Sequence, residues 1–150
     1  MKQKVIILAD VKDGLMYTKT HQWAAVDGNI VTIGLTDYAQ EKLGEISMAD
    51  LNYGGIVGTT VEAVKIEGND AVSDPIPDIS VESSKAVGDI FSPVSGSVVE
   101  VNSSLDNEAE KINKDPYGEG WLIKVEASSL DDDLANLMDA DAYRAFIESL

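Results

Sequence analysis

Cysteine is absent from this chain of 150 residues, and histidine occurs once, at His21. Without cysteine the chain has no disulfide, no thiolate nucleophile and no thiolate metal ligand. One histidine cannot form a two-histidine metal site, and the G-x-S-x-G turn of a serine nucleophile is missing as well. The sequence therefore predicts no metal site and no catalytic residue.

Basic residues are scarce. The chain has 11 lysines and arginines against 27 aspartates and glutamates, which gives a formal net charge of −16. A surface of this charge repels phosphate backbones and anionic membranes, so nucleic acid and membrane partners are excluded. Basic protein surfaces are the favoured partners, because opposite charge accelerates encounter.

Phosphate-binding and targeting motifs are missing too. Neither a Walker loop nor G-x-G-x-x-G occurs, and no spacing singles out a glycosidase pair among the many carboxylates. The N-terminal apolar run from Val5 to Ala9 ends at Asp10, which is too short for a signal peptide. We therefore expect a cytoplasmic, monomeric, non-catalytic protein.

The apolar content of 44% is enough for one core, so we expect a single domain over residues 1–150, with a core at about 13–127. Short apolar runs between Gly, Pro, Asn and Asp predict a mainly β sandwich or barrel. The candidate strands are Lys4 to Ala9, Trp23 to Val26, Ile46 to Met48, Thr60 to Ile66, Ile79 to Ser83 and Trp121 to Val125.

Helices are predicted in two places. Thr36 is a good N-cap for a short internal helix that Gly44 ends. In the tail, residues 128–150, apolar residues at helical spacing predict two C-terminal helices. Asp131 to Asp133 lie in the first turn of the earlier tail helix, where carboxylates stabilise the positive end of the helix dipole. We prefer this role for the acidic run to metal binding. Gly68 to Asp78 and Asn102 to Gly120 are predicted loops.

An internal repeat links two of the β segments. Val26 to Ile33 and Val94 to Val101 share the pattern V-x-G-x-[IV]-V-x-[IV]. Such similarity suggests two related β-units, although valine-rich strands after a turn glycine also arise by chance.

One lysine stands out by its surroundings. Lys85 lies between the alternating run that ends at Ser83 and a second run that starts after Gly88, where a hairpin would reverse. Its neighbours Ser84 and Ala86 are small, so its amine would be accessible to another protein. A solvated surface lysine is the alternative interpretation, and position alone does not exclude it.

Several long motifs resemble one family, the lipoate-carrying H proteins of the glycine cleavage system. The stretch E-S-S-K-A around Lys85 is similar to the family's lipoylation motif. The other matching stretches follow in the family's order and span nearly the whole chain; they are Asp13 to Trp23, Ile33 to Gly44, Ser92 to Asn102 and Asp115 to Lys124.

The resemblance implies a barrel-sandwich hybrid of two pseudo-twofold-related β-units, with lipoate joined to Lys85 as an amide. It implies four partners: glycine decarboxylase, aminomethyltransferase, dihydrolipoamide dehydrogenase and a lipoate ligase or lipoyltransferase. Glu82, Ser83 and Ala86 would serve recognition by the ligase or a partner. Thr20, His21, Gln22 and Asp89 match the positions that line the cleft for the loaded arm, although His21 and Trp23 are assigned mainly to packing.

Some residues depart from the family pattern. Gln22 stands where the family usually has an acid, which removes a charge-assisted bond to a cationic amine. The segment 47–78 is longer than the family leads us to expect, and Val87-Gly88 replaces a small polar pair. Two alternatives therefore stay open: a related lipoate carrier for sulfur-compound oxidation or lipoyl relay, and an unlipoylated adaptor domain.

Overall fold

A computed structural model describes residues 9–150 of the chain. The described part is mainly β, as predicted, and its eleven strands are short. They are β1 (Met16–Tyr17), β2 (Gln22–Asp27), β3 (Ile30–Leu35), β4 (Ile46–Asp50), β5 (Thr60–Val61), β6 (Ile66–Glu67), β7 (Asp70–Ala71), β8 (Ser80–Ser83), β9 (Val87–Asp89), β10 (Gly96–Val101) and β11 (Ile123–Ala127). The predicted strand from Lys4 lies outside the described residues, apart from Ala9, which is not in a strand.

Four α-helices and one 3-10 helix complete the fold. They are α1 (Asp37–Leu43), α2 (Lys111–Lys114), α3 (Leu130–Leu134), α4 (Ala140–Glu148) and the 3-10 turn Ser103–Asp106. Thr36 caps α1 as predicted, because its hydroxyl accepts a hydrogen bond from the Ala39 N–H. Asp139 caps α4 in the same way through Ala142.

The strands form two larger sheets and a small hairpin. The larger sheet has the order β1-β2-β3-β11-β10-β5, the smaller one has the order β4-β8-β9, and β6 pairs with β7. All the pairs between named strands are antiparallel. Alternate residues of both sheets, such as Val31, Ile33, Val81 and Val98, are buried in one continuous core.

The repeated sequence segments supply β3 and β10, which lie on either side of β11. In the first copy, Gly28 has φ +62° and forms the tight turn between β2 and β3. In the second copy, Gly96 lies so close to the neighbouring strand that a Cβ would lie 2.0 Å from the Glu126 carbonyl oxygen. The two glycines therefore serve different geometric needs within similar sequences.

Several predicted boundaries are wrong. The run from Thr60 to Ile66 is two separate two-residue strands, and the predicted loop after Gly68 contains β7. The predicted loop from Asn102 to Gly120 contains two short helical turns, in which Leu105 and Ile112 are fully buried. These elements depend on single buried side chains and on pairing with distant strands, so no local periodicity marks them.

The C-terminal region forms a second, smaller core. Helix α4 packs Tyr143 and Ile147 against Tyr17 and Trp23, and the Tyr17 and Tyr143 rings stack with centroids 4.5 Å apart. The first tail helix is shorter than predicted, because α3 ends at Leu134 and Met138 instead pairs with Tyr17 through backbone hydrogen bonds. This bridge holds the tail against the start of the large sheet.

Candidate functional site

Lys85 lies at the tip of the β8–β9 hairpin, so the prediction of a reversal at this lysine is confirmed. The Ser83 N–H donates to the Ala86 carbonyl at 2.9 Å, which leaves Ser84 and Lys85 as the turn. The Ser83 hydroxyl oxygen accepts from the N–H groups of Ala86 at 3.2 Å and Lys85 at 3.3 Å. A short side-chain hydroxyl thus fixes the backbone that presents the lysine.

The hairpin tip rests against the C-terminal end of α1. The Ser83 hydroxyl donates to the Leu43 carbonyl at 2.6 Å. A Cβ built on Gly44 would lie 3.0 Å from Lys85 Cε. The lysine stem therefore passes over the end of α1 at a residue that has no side chain. The exposed last carbonyls of a helix favour a cation nearby.

Asn113 joins this helix end to its surroundings. Its amide nitrogen donates to the Gly44 carbonyl at 3.0 Å and to Gln40 Oε1 at 2.7 Å, and its oxygen accepts from the Ile46 N–H at 2.8 Å. Sequence analysis missed Asn113, because it lies within a segment predicted as loop. No signal near Lys85 in the sequence points to a residue so far along the chain.

The predicted recognition residues lie around the lysine. Ser83 and Ala86 flank the turn and are held by its hydrogen bonds. Glu82 is half-buried, and it lies between Met48 of β4 and Val87 of β9 in the three-stranded sheet. Within residues 9–150, neither Glu82 nor Lys85 forms an ion pair.

Three of the four predicted cleft residues lie together at the start of β2. The Gln22 side chain is only 1% exposed, and its Oε1 accepts from the Thr18 hydroxyl at 3.0 Å and from the Thr20 hydroxyl. The Thr18 oxygen accepts from the Gln22 N–H at 3.0 Å. Sequence analysis did not predict Thr18 as a site residue. Thr18 and Gln22 are 4 residues apart, and this spacing places them at the two ends of one tight turn.

His21 has a backbone φ of +70°, and its ring is half-buried among aromatic side chains. Its Nδ1 is 2.8 Å from the Tyr143 hydroxyl, which is also 2.8 Å from the Thr36 hydroxyl. Burial lowers the pKa of His21 to about 4, so the imidazole is neutral at pH 7. The assignment of His21 to structure agrees with these contacts.

Burial shifts the pKa of three tyrosines in this part of the fold, of which Tyr143 contacts His21. Burial raises the pKa of Tyr17 to about 12, and it also raises the pKa of Tyr143 and of Tyr117. All three phenols are therefore protonated near neutral pH. Tyr17 donates to the Lys12 carbonyl at 2.6 Å, and Tyr117 donates to the Asp10 carbonyl at 2.6 Å.

Helix α1 connects the two groups of predicted residues. It begins at Thr36, whose N–H donates to the His21 carbonyl at 3.1 Å, and it ends at Gly44 beside Lys85. A helix of 7 residues is about 10 Å long, so the Thr20–Gln22 group and the lysine stem lie at opposite ends of it.

Asp89 is not joined to the other cleft residues. It lies on β9 opposite Ser80, and no hydrogen bond or ion pair links it to Thr20, His21 or Gln22 among the hydrogen bonds and ion pairs of residues 9–150. The four-residue cleft stays a prediction in which only three members are shown to be neighbours.

Residues 9–150 contain no group of His, Asp and Glu side chains arranged to hold a metal ion. None of their helices combines the length and the apolar character needed to cross a membrane.

Comparison with known proteins identifies the family. The family model "Glycine cleavage H-protein" matches residues 15–150. The chain is 44% identical over 141 residues to the "Glycine cleavage system H protein" of Rubrobacter xylanophilus, covering 94% of this chain and 98% of the relative. It is 42% identical over 141 residues to the "Probable glycine cleavage system H protein" of Thermococcus gammatolerans, covering 93% and 94% of the two chains.

A solved structure agrees with the sequence comparisons. The crystal structure of a glycine cleavage system H protein from Mycobacterium marinum superposes with a TM-score of 0.72 at 30% identity, covering 91% of this chain and 98% of the other. The predicted barrel-sandwich fold is therefore confirmed. The chain belongs to the glycine cleavage H-protein family.

Proposed function

We propose that Lys85 is acylated by lipoate and that the chain is the lipoate-bearing carrier of the glycine cleavage system. The observation that carries the proposal is an exposed lysine, without an ion pair in the described part of the chain, at a hairpin tip fixed by Ser83. Family membership supplies the pathway.

The lysine suits attachment of an acyl group. Its neutral amine attacks the carbonyl carbon of an activated lipoyl donor such as an acyl adenylate, an amide bond forms, the nucleotide leaves, and the amine loses a proton to solvent. The turn residues hold the backbone, and the four-carbon stem lies beside Gly44, with Nζ 3.7 Å from the position of a Cβ built on that glycine. A rigid hairpin gives a long arm a fixed point of rotation.

The chain itself carries and positions the group, and it performs no bond chemistry. When attached, lipoate supplies a dithiolane disulfide that takes up the aminomethyl group of glycine together with two electrons. Glycine decarboxylase loads this arm, aminomethyltransferase unloads it, and dihydrolipoamide dehydrogenase reoxidises it. Glu82, Ser83 and Ala86 present the lysine to the ligase or lipoyltransferase.

The Thr20–Gln22 group shelters the loaded amine, and Asp89, which lies apart from it on β9, is the fourth residue predicted for this role. Helix α1 spans the region between that group and Lys85. His21 holds this region through Tyr143 and does not itself receive a proton near neutral pH. The whole chain, residues 1–150, acts as one carrier domain.

Two measurements test the proposal. Incubation with a lipoate ligase, lipoate and ATP is expected to add one lipoyl group, located on Lys85 by peptide mass spectrometry. Lys85→Arg keeps the charge and should gain none, whereas Lys42→Arg should be modified like the wild type. Absence of an adduct on the wild type leaves the adaptor alternative.

The second measurement separates the two carrier alternatives. Lipoylated protein is supplied to glycine decarboxylase, and glycine-dependent exchange of carbon dioxide is followed. Exchange that depends on lipoylated Lys85 supports the glycine cleavage assignment. A fully lipoylated protein that supports no exchange would instead serve another pathway, such as sulfur-compound oxidation or lipoyl relay.

A further inference from the structure

The three-stranded sheet β4-β8-β9 turns one face outward beside Lys85. Met48, Glu82 and Val87 lie side by side in one row of this sheet, and Asp50, Ser80 and Asp89 form the next row on the same face. The row between them, Ala49, Val81 and Gly88, faces inward, with Ala49 and Val81 buried. We call Met48, Asp50, Glu82, Val87 and Asp89 the hairpin face.

Two apolar side chains on the hairpin face are unusually exposed. Val87 is 64% exposed and Met48 is 52% exposed, and they flank Glu82 on either side. Directly opposed residues on paired strands have Cβ atoms about 5 Å apart, so the three side chains form a continuous strip about 10 Å wide. Exposed apolar surface rimmed by polar groups marks interaction sites.

Three carboxylates lie in or beside the strip, together with the hydroxyl of Ser80. None of the carboxylates of Asp50, Glu82 and Asp89 forms an ion pair within the described part of the chain. Asp50 only accepts a hydrogen bond from the Asn52 N–H at 3.3 Å. Three free carboxylates around an apolar strip complement a protein surface that has an apolar centre and a cationic border.

We propose that the hairpin face is the docking surface for the enzyme that acylates Lys85, and this inference rests on the proposed function. An acylating enzyme must bring its active site to the lysine Nζ, so it cannot avoid touching residues two and three positions away, Val87 and Glu82. Enzymes that act on the distal end of a long arm do not need that contact. Electrostatic attraction to the three carboxylates speeds encounter, and the apolar strip holds the complex.

The test compares two double variants as substrates of a lipoate ligase. Met48→Thr/Val87→Thr removes the apolar strip and places a β-branched residue, which suits a strand, at both positions. Val57→Thr/Val72→Thr is the matched control, because those valines are 54% and 53% exposed and lie outside the hairpin face. The initial rate of lipoyl addition is measured by intact mass against the concentration of unmodified protein.

We expect kcat/KM for lipoylation to fall about tenfold in Met48→Thr/Val87→Thr and to change less than about twofold in the control. Unchanged melting temperatures of both variants would show that folding is not the cause. Asp50→Asn/Glu82→Gln should lower the rate at low ionic strength and flatten its salt dependence.

The outcomes separate this inference from the proposed function. If the wild type is lipoylated on Lys85 and all variants match it in kcat/KM, the docking surface is wrong while the carrier function stands. A loss confined to decarboxylase turnover, measured on protein already lipoylated, would assign the hairpin face to the decarboxylase and overturn the inference. Absence of lipoylation in the wild type would remove the proposed function itself.

Discussion

Gly44 meets two demands at a single residue. It ends α1 with φ 85° and ψ −166°, a region of backbone conformation that is essentially restricted to glycine. A Cβ at this position would also press on Lys85 Cε at 3.0 Å. Both the helix end and the path of the lysine stem therefore depend on a missing side chain.

Gly44→Ala is expected to lower the free energy of unfolding by ~1–3 kcal/mol, because the backbone must either strain or rearrange. Gly54→Ala is the control, since a Cβ there would contact nothing within 4 Å, and its effect should stay within about 0.5 kcal/mol. Urea titration followed by circular dichroism measures both. Equal stability of the two variants would contradict the constraint at Gly44.

Gln22 is the residue whose chemistry departs from the family pattern. Its Oε1 is already occupied by two threonine hydroxyls, so its amide presents an N–H donor to any further partner. A carboxylate would keep those bonds with one oxygen and offer the other, negatively charged, to a cationic amine. The amide cannot give that assistance.

We therefore expect Gln22→Glu to slow the release of ammonia from the loaded, lipoylated protein by about tenfold. An effect of this size corresponds to the free energy of one charge-assisted hydrogen bond. Asn29→Asp, in the exposed β2–β3 turn, adds the same charge elsewhere and serves as the control. Ammonia is assayed over time after loading. Equal release from Gln22→Glu and the wild type would mean that residue 22 does not meet the amine.

At the scale of the elements, α4 braces the start of α1 through one hydroxyl. Tyr143 donates or accepts hydrogen bonds with His21 and Thr36, both at 2.8 Å, and it stacks on Tyr17. Thr36 is also the N-cap of α1. The helix that links the two groups of site residues is thus oriented by a helix from the far end of the chain.

Removing the hydroxyl with Tyr143→Phe should lower the free energy of unfolding by ~1–3 kcal/mol, because buried Thr36 and half-buried His21 each lose a hydrogen bond. Tyr38→Phe is the matched control, since the Tyr38 hydroxyl makes no hydrogen bond with residues 9–150. Thermal or urea unfolding compares the variants. A Tyr143→Phe protein as stable as Tyr38→Phe would show that the bracing contact has little weight.

The same contact gives His21 a defined effect on pH stability. Its folded-state pKa of about 4 lies below the usual histidine value of 6.5, so the unfolded chain takes up a proton first as the pH falls. The contribution of neutral His21 to stability is complete above about pH 6.5 and is lost as the pH falls towards 4.

His21→Asn should reduce this loss, and asparagine tolerates the backbone φ of +70° at the position. The measurement is the difference in unfolding free energy between the wild type and His21→Asn at several pH values from 7 to 4. Taking the difference cancels the titration of the many shared carboxylates. We expect the wild-type advantage to shrink as the pH falls, and a constant difference would contradict the assigned pKa.

For the molecule as a whole, repulsion between its excess negative charges destabilises the compact folded state. A formal net charge of −16 is spread over 150 residues, and acylation of Lys85 would make it −17. Within residues 9–150 only four ion pairs form, all of them at least partly exposed, so they offset little of this repulsion. Stability depends instead on the apolar core between the two sheets.

Salt should therefore stabilise the fold. Raising the ionic strength from ~10 mM to ~150 mM shortens the screening length from about 30 Å to about 8 Å and weakens the repulsion between carboxylates. We expect the melting temperature to rise by several degrees, measured by differential scanning calorimetry. Sodium chloride and potassium chloride should act alike, and a melting temperature that is independent of salt would show that self-repulsion is not a limiting term.

Features with local causes could be predicted from the order of residues alone. The N-cap at Thr36, the stop at Gly44, the Asp27-Gly28 turn and the reversal at Lys85 each follow from residues a few positions apart, because caps and turns are short-range hydrogen-bond and backbone effects. The family motifs added the barrel-sandwich fold. The charge balance followed from composition alone.

Contacts between residues far apart in the chain became visible only in the folded molecule. Asn113 supports the helix end beside Lys85, and Tyr143 reaches His21, across sequence separations that leave no periodic trace. Met48 lies beside Glu82 because β4 pairs with β8, and Val87 lies on the other side of Glu82 because β9 pairs with β8. A shift of the strand pairing by one residue would turn these side chains inward. These contacts depend on strand register and helix docking, which are fixed by burying the whole core and not by any single segment.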